Sequence, residues 1–148
     1  MRNIMFRTLF CLGLLTFSAL QAEEILINPS DSSQEQVQEA LILAKPGDTI
    51  KLQAGLYKFT DGLSLDVDNV RLIGEGMDKT ILSFADQLSG AQGLLVTSNK
   101  VVLKDFAIED AKGDALKVIG ADGIYMINLR TEWTGGPKST NGAYGLYP

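Results

Sequence analysis

From residue 23 onward the apolar positions fall in short runs punctuated by Gly, Asp and Asn. Ile25-Leu26-Ile27 opens the region and stops at Asn28-Pro29, which reads as a strand ended by a turn. Ser32 or Ser33 can then cap a helix. Glu35 lies three residues after Ser32 and Gln36 three after Ser33, so either serine completes a capping box. Val37, Ala40, Leu41 and Ala44 follow at helical spacing and predict one buried face. Lys45-Pro46-Gly47-Asp48 ends this helix. The pattern then changes to short strands at Thr49–Leu52, Leu63–Val67, Val70–Ile73, Thr80–Phe84, Leu94–Thr97, Val101–Phe106, Leu116–Ile119 and Ile124–Leu129. No tight Asn-Gly hairpin joins two of them, which argues against a simple meander.

The strands repeat. Val70-Arg71-Leu72 aligns with Val101-Val102-Leu103 and with Ile124-Tyr125-Met126, at offsets of 31 and 23 residues. Turn residues precede each run: Asp68-Asn69, Asn99-Lys100 and Asp122-Gly123. Leu63-Ser64-Leu65, Leu94-Leu95-Val96 and Leu116-Lys117-Val118 align upstream, and Phe106-Ala107-Ile108 aligns with Leu129-Arg130-Thr131 downstream. Two loops, around Gly74–Lys79 and Asp86–Gly93, account for the longer first interval. A unit of roughly 22 residues holding three short strands is one coil of a parallel β-helix. One coil cannot bury its inward side chains alone, and stacking coils buries a continuous column. The alternative is a β-sandwich with coincidental spacing, but three strand types aligned in register favour the solenoid. The expected fold is therefore all-β, a right-handed parallel β-helix. Residues 23–48 supply its first strand and a helix covering the open end, and residues 49–148 supply the coils.

Residues 1–22 read as a secretory signal. Arg2 and Arg7 make the start positive, Leu9 to Leu20 is an apolar stretch of 12, and Ala22 is a small residue before Glu23-Glu24. Twelve apolar residues are too short to cross about 30 Å of hydrocarbon as a helix. Phe10 before Cys11, where a small residue is needed, argues against lipidation. Cleavage after Ala22 leaves a mature chain with no cysteine and removes both leader arginines, making the net charge of −5 two units more negative. Such a chain is expected in the periplasm or outside the cell, with no membrane span and no need of disulfides. An acidic chain without a basic cluster is also a poor nucleic-acid binder. The absence of histidine removes every imidazole base and His-ligated metal site.

Two segments resemble the opening of right-handed parallel β-helix proteins of the pectate-lyase-like and pectinesterase-like superfamily. One is Val37-Gln38-Glu39-Ala40 with Lys45-Pro46-Gly47-Asp48-Thr49-Ile50-Lys51-Leu52 and Gly55-Leu56-Tyr57. The other is Leu72-Ile73-Gly74-Glu75-Gly76 with Lys79-Thr80-Ile81-Leu82. The resemblance implies a secreted protein that binds or modifies polysaccharide. It carries over no complete lyase, epimerase or esterase motif. Ala143–Leu146 reads as the start of another coil, since Leu146 lies 30 residues after Leu116. An array is expected to end on a polar cap, so the chain reads as the N-terminal part of a longer protein. A complete chain would instead cap itself by end-to-end self-association.

Alternation along a strand puts Phe106, Ile108, Leu129 and Thr131 inward, and Ala107, Glu109, Arg130 and Glu132 outward. Glu109 and Glu132 then stack at the coil spacing of about 4.8 Å. They repel by roughly 1 kcal/mol in water or about 3 at an effective dielectric of 20, and Arg130 can offset this. Asp110 and Asp114 follow in the adjoining turn, and Trp133 aligns with Asp110. The six residues Glu109, Asp110, Asp114, Arg130, Glu132 and Trp133 are the candidate site: carboxylates for sugar chemistry or for calcium, beside an aromatic platform for a sugar ring. The plainer reading is a solvated charged face. No other cofactor is implied. Asp68, Asn69, Asn99 and Asp122 are turn residues that bond the backbone and tolerate left-handed conformations. Gly74-Glu75-Gly76 and Gly135-Gly136 lack the lysine-serine pair and following helix of a phosphate loop. Met126 aligns with inward Leu72 and Leu103, so it reads as core and not as a copper ligand. Polysaccharide engagement is the leading function, and a non-enzymatic envelope scaffold the second.

Overall fold

The computed structural model describes residues 21–148. The expected leader therefore falls, up to residue 20, outside the described residues. In chain order the elements are β1 (Glu24–Ile27), α1 (Ser33–Leu43), β2 (Thr49–Leu52), β3 (Gly55–Lys58), β4 (Leu63–Leu65), β5 (Arg71–Ile73), β6 (Thr80–Ser83), β7 (Gln92–Val96), β8 (Val102–Glu109), β9 (Asp114–Val118), β10 (Tyr125–Glu132) and β11 (Leu146–Tyr147). Every strand pairing among the described residues is parallel. Parallel neighbours need long crossovers, and here the crossover is the rest of a coil. A seven-stranded sheet forms one wall and a four-stranded sheet, β11-β9-β7-β4, the other. The result is mostly β, with curled parallel sheets in a β-helix-like stack.

The register is the one the repeat predicts. Arg71 pairs with Val102, and Val102 with Tyr125. Leu63 pairs with Leu94, Leu94 with Leu116, and Leu116 with Leu146. A constant register with alternating side chains lines up like residues inside. Ile25, Ile50, Leu72, Leu103 and Met126 form one such column. Ile50, Leu72 and Leu103 are fully buried, and Met126 packs against them as core. Each fully buried side chain of this kind contributes roughly 1.5–3 kcal/mol relative to exposure. Phe59 and Phe84 stack with ring centroids 5.0 Å apart, filling the next corner.

Strand β3 is a departure from the sequence pattern, which leaves Gly55–Lys58 outside any strand. Its first residue is a glycine at φ 142°, and only Tyr57 is buried. Pairing with β6 makes it a strand, not local propensity. A second departure is that β8 and β10 each run on through a bend. Asp105 and Asn128 take φ of 60° and 50° at equivalent positions. The amide of Asn128 donates to Asp105 Oδ1 at 2.9 Å, so the bend is stitched from coil to coil. The first half of β8 pairs with β5 and the second with β6.

The turn residues before the strands also form a ladder. Asp68 Oδ1 accepts the Asn99 N–H at 2.7 Å, and Asn99 Oδ1 accepts the Asp122 N–H at 2.9 Å. The backbone N–H of Asn99, then its side-chain amide, holds the Asp68 carboxyl below its ordinary range. Asn69, Lys100 and Gly123 each follow with positive φ.

Helix α1 buries Val37, Ala40 and Leu41, with Ala44 just beyond it, as its spacing predicts. Its start is built differently from a capping box. Ser32 makes no side-chain cap. Ser33 Oγ instead donates to Ser30 O at 2.7 Å and accepts Ser30 N–H at 2.9 Å, closing a local turn. Two glutamines of α1 meet the edge of the first coil. Gln34 Oε1 accepts the N–H groups of Thr60 and Asp61, and Gln38 bonds both N–H and C=O of Ser64. Those backbone groups lie at the exposed end of the stack, where an unpaired edge is otherwise a liability.

Candidate functional site

The outward positions of the second half of β8 and β10 make one face. Glu109 and Glu132 are in register, as are Ala107 and Arg130. The row containing Glu109 continues through Ser83 to Lys58 on earlier coils. Ala107 is on the outer side of the strand yet fully buried, flanked in register by the longer side chains of Ile81 and Arg130.

Arg130 organises this face. Its Nη2 donates to Glu109 Oε1 at 2.8 Å and to the Met77 carbonyl at 3.2 Å, and its Nη1 donates to Glu132 Oε2. Asp78 Oδ1 lies 3.4 Å from Nε as an ionic contact. Burial pulls the guanidinium pKa down, but hydrogen bonding and charge from Glu109, then Glu132, outweigh it and raise it above its ordinary value. The two glutamates are thus not a bare acid–base pair. They share one cation, which also ties the loop of the second coil to the third and fourth.

Asp110 and Trp133 stand next to this triad at the following corner. Asp110 has φ 59°, and its carboxylate accepts Thr134 N–H at 2.8 Å and Thr134 Oγ1–H at 2.7 Å. Trp133 Nε1 donates to Ala111 O at 2.7 Å, and its ring packs against the core. Both residues line an open cleft of about 580 Å³, together with Lys112, Lys138, Thr140 and Asn141. The cleft lies under the segment between β10 and β11, where Asn141 Nδ2 fixes the turn by donating to Gly136 O at 3.0 Å.

The structure therefore brings five of the six candidate residues together as two adjoining groups, Glu109–Arg130–Glu132 and Asp110–Trp133. Asp114 does not join them. It begins β9, and its Oδ2 sits 3.5 Å from Lys117 Nζ, which in turn lies over the Tyr147 ring at 4.9 Å. A strand start after the Ala111–Gly113 turn carries Asp114 onto the other sheet. Among the described residues no three acidic or sulfur side chains converge as a cation site. Calcium needs several oxygens aimed at one point, whereas Glu109 and Glu132 both turn to Arg130, so this donor set does not fit calcium. Lys112, Lys138, Thr140 and Asn141 are absent from the sequence reading. For Lys138, Thr140 and Asn141 the signal was the 30-residue interval before Leu146, since an inserted loop on a rigid scaffold is where binding groups gather.

No protein-family model and no curated protein sequence matches the chain. Its fold does match a solved structure. The similarity is to a PL6 family alginate lyase, AlyGC, with TM-score 0.60 and 17% sequence identity over 83% of this chain. That identity speaks for the fold alone, a parallel β-helix-like one. The matched region spans only 17% of the lyase chain. Among the described residues no helix is long and apolar enough to cross a membrane.

Proposed function

We propose that this is an exported, right-handed parallel β-helix protein that engages polysaccharide through the face and cleft formed by its third and fourth coils. The right hand follows from the strong preference of parallel crossovers for it. The leader read at residues 1–22 supports export, to the periplasm or outside the cell. The observation that carries the binding reading is the cleft itself. It is open, and it is lined by Trp133 together with Lys112, Lys138, Thr140 and Asn141. Sugar rings take stacking on an aromatic wall with polar groups at the rim. Likeness in fold to an alginate lyase supports the substrate class.

Binding is favoured over catalysis because the carboxylates of the site are already engaged. Glu109 and Glu132 hold Arg130, and Asp110 holds Thr134. The same observation supports the second reading, a non-enzymatic scaffold in the cell envelope. Affinity electrophoresis of the exported protein through gels containing acidic or neutral polysaccharides separates the two. Binding predicts retardation by at least one polymer, reduced several-fold by Lys138→Ala or Thr140→Ala at unchanged melting temperature. A migration that no polymer alters refutes binding and leaves the scaffold. Release of new reducing ends during incubation refutes the non-catalytic part.

A further inference from the structure

Asp48 is buried, only 2% exposed, yet it carries a carboxylate. Its Oδ1 accepts the backbone N–H of Glu23 at 2.8 Å and its Oδ2 that of Lys45 at 2.8 Å. The carbonyl of Glu23 is held as well, by Thr49 N–H at 2.8 Å. Glu23 is thus gripped on both sides at the point where the chain enters β1. The residue before it, Ala22, is exposed. The leader pattern independently puts its cleavage point between these two residues.

We propose that Asp48 is a receptor for the mature N-terminus: cleavage after Ala22 places a new α-ammonium of Glu23 on the Asp48 carboxylate, stabilising the processed chain over the unprocessed one. The inference rests on the export reading above. The step itself is hydrolysis by an export protease. The Ala22–Glu23 peptide bond breaks, water supplies the hydroxyl to Ala22 and a proton to the departing nitrogen, and that amine takes up a further proton near neutral pH. One neutral N–H donor becomes a cationic group with three. A charge-assisted bond to a carboxylate is about twice as strong as a neutral one.

The charged groups on the surrounding segments do not displace this pairing. Lys45 contributes its backbone N–H to the same carboxylate, and its positive charge acts on that carboxylate in the same direction but more weakly. Glu24 is paired with Lys51 at 3.0 Å. Arg71, one coil on, donates its backbone N–H to the Asp48 carbonyl at 3.0 Å. The Glu23 side chain is exposed. Asp48 stays ionised, since the backbone N–H groups of Glu23 and then Lys45 hold it below the ordinary carboxylate range.

The sign of the pH effect follows. An α-amine has an ordinary pKa of about 7.7–8.0, and the carboxylate raises it in the folded chain. The added stability is present below about pH 7.7 and disappears as pH rises through the raised folded value.

The test uses the full precursor expressed in an exporting host, with the processed protein recovered and its first residue read by mass spectrometry. Urea unfolding is then measured before and after selective acetylation of the α-amine, which restores a neutral N–H donor at the same place. The expected first residue is Glu23. Acetylation is expected to lower the folding equilibrium constant about tenfold near neutral pH, equivalent to one pKa unit on the amine, and to have no effect near pH 10, above the ordinary α-amine range. Asp48→Asn is expected to abolish the acetylation effect. A first residue other than Glu23 overturns the cleavage reading and this inference with it. A Glu23 terminus whose acetylation leaves stability unchanged at neutral pH overturns the inference and leaves the export reading standing.

Discussion

Replacing Arg130 by Met tests whether the charged face is a clamp or a solvated patch. Methionine keeps the length and apolar stem and removes the cation. Arg130 is about a quarter exposed and Glu109 only 16%, so this pair is well shielded, while Glu132 at 51% is not. Exposed ion pairs contribute about 0–1 kcal/mol, and a hydrogen bond to a charged group about 1.5–3. Loss of the Glu109 bond alone therefore costs roughly 1.5–3 kcal/mol. Removing the cation also leaves two carboxylates in register at about 4.8 Å. Their repulsion adds about 1 kcal/mol at the water limit and about 3 at an effective dielectric of 20. Partial exposure favours the lower end, so we expect a total loss of about 3 kcal/mol at pH 7, read as the change in urea midpoint at constant slope. The gap between Arg130→Met and the parent protein should shrink in the double variant Arg130→Met/Glu109→Gln, which removes one of the two repelling charges. No rescue by Glu109→Gln would refute the clamp. The face would then be an ordinary solvated one.

Two other outcomes follow from the interior. The Tyr57 hydroxyl sits between the carbonyls of Ile27 and Gln53, at 2.8 and 3.0 Å, and burial pushes its pKa up to about 12. Tyr57→Phe should cost about 1 kcal/mol. Because the unfolded phenol ionises near pH 10 while the folded one stays protonated, stability should fall as pH rises from about 10 to 12. That fall should be weaker in the Phe variant, and matching alkaline unfolding curves for the two proteins would refute the assignment. At Gly113 an added Cβ would meet the Ala91 carbonyl oxygen at 1.6 Å. Backbone cannot yield as a flexible side chain does, so Gly113→Ala should destabilise by about 3 kcal/mol or more, at or above the upper end of overpacking costs. A melting temperature unchanged in that variant would mean the two coils are not so closely stacked.

The sequence by itself determined which residues lie side by side. A repeat whose strands align once the inserted loops are set aside, combined with the two-residue alternation of a strand, leaves little choice: a slip of one residue would turn the whole apolar set outward. That is why Met126 could be placed under Leu103, and Glu132 on Glu109, without coordinates. The apolar face of α1 was legible for the same reason, since helical periodicity repeats over its three turns. What the sequence could not settle were contacts whose partners come from different coils with no fixed interval between them. Strand β3 holds one buried apolar residue and needed its neighbour β6 to become a strand. Ser33 bonded back to Ser30 rather than serving as a cap, because the turn after β1 offered it a nearer partner. Asp114 left the candidate site because a strand start moved it to the other sheet. Arg130 reached across three coils to Asp78, Glu109 and Glu132. Lys112 and Lys138 met over a cleft only when the loop before β11 folded back. Period fixes neighbours along a column, but long side chains and inserted loops choose their partners in three dimensions.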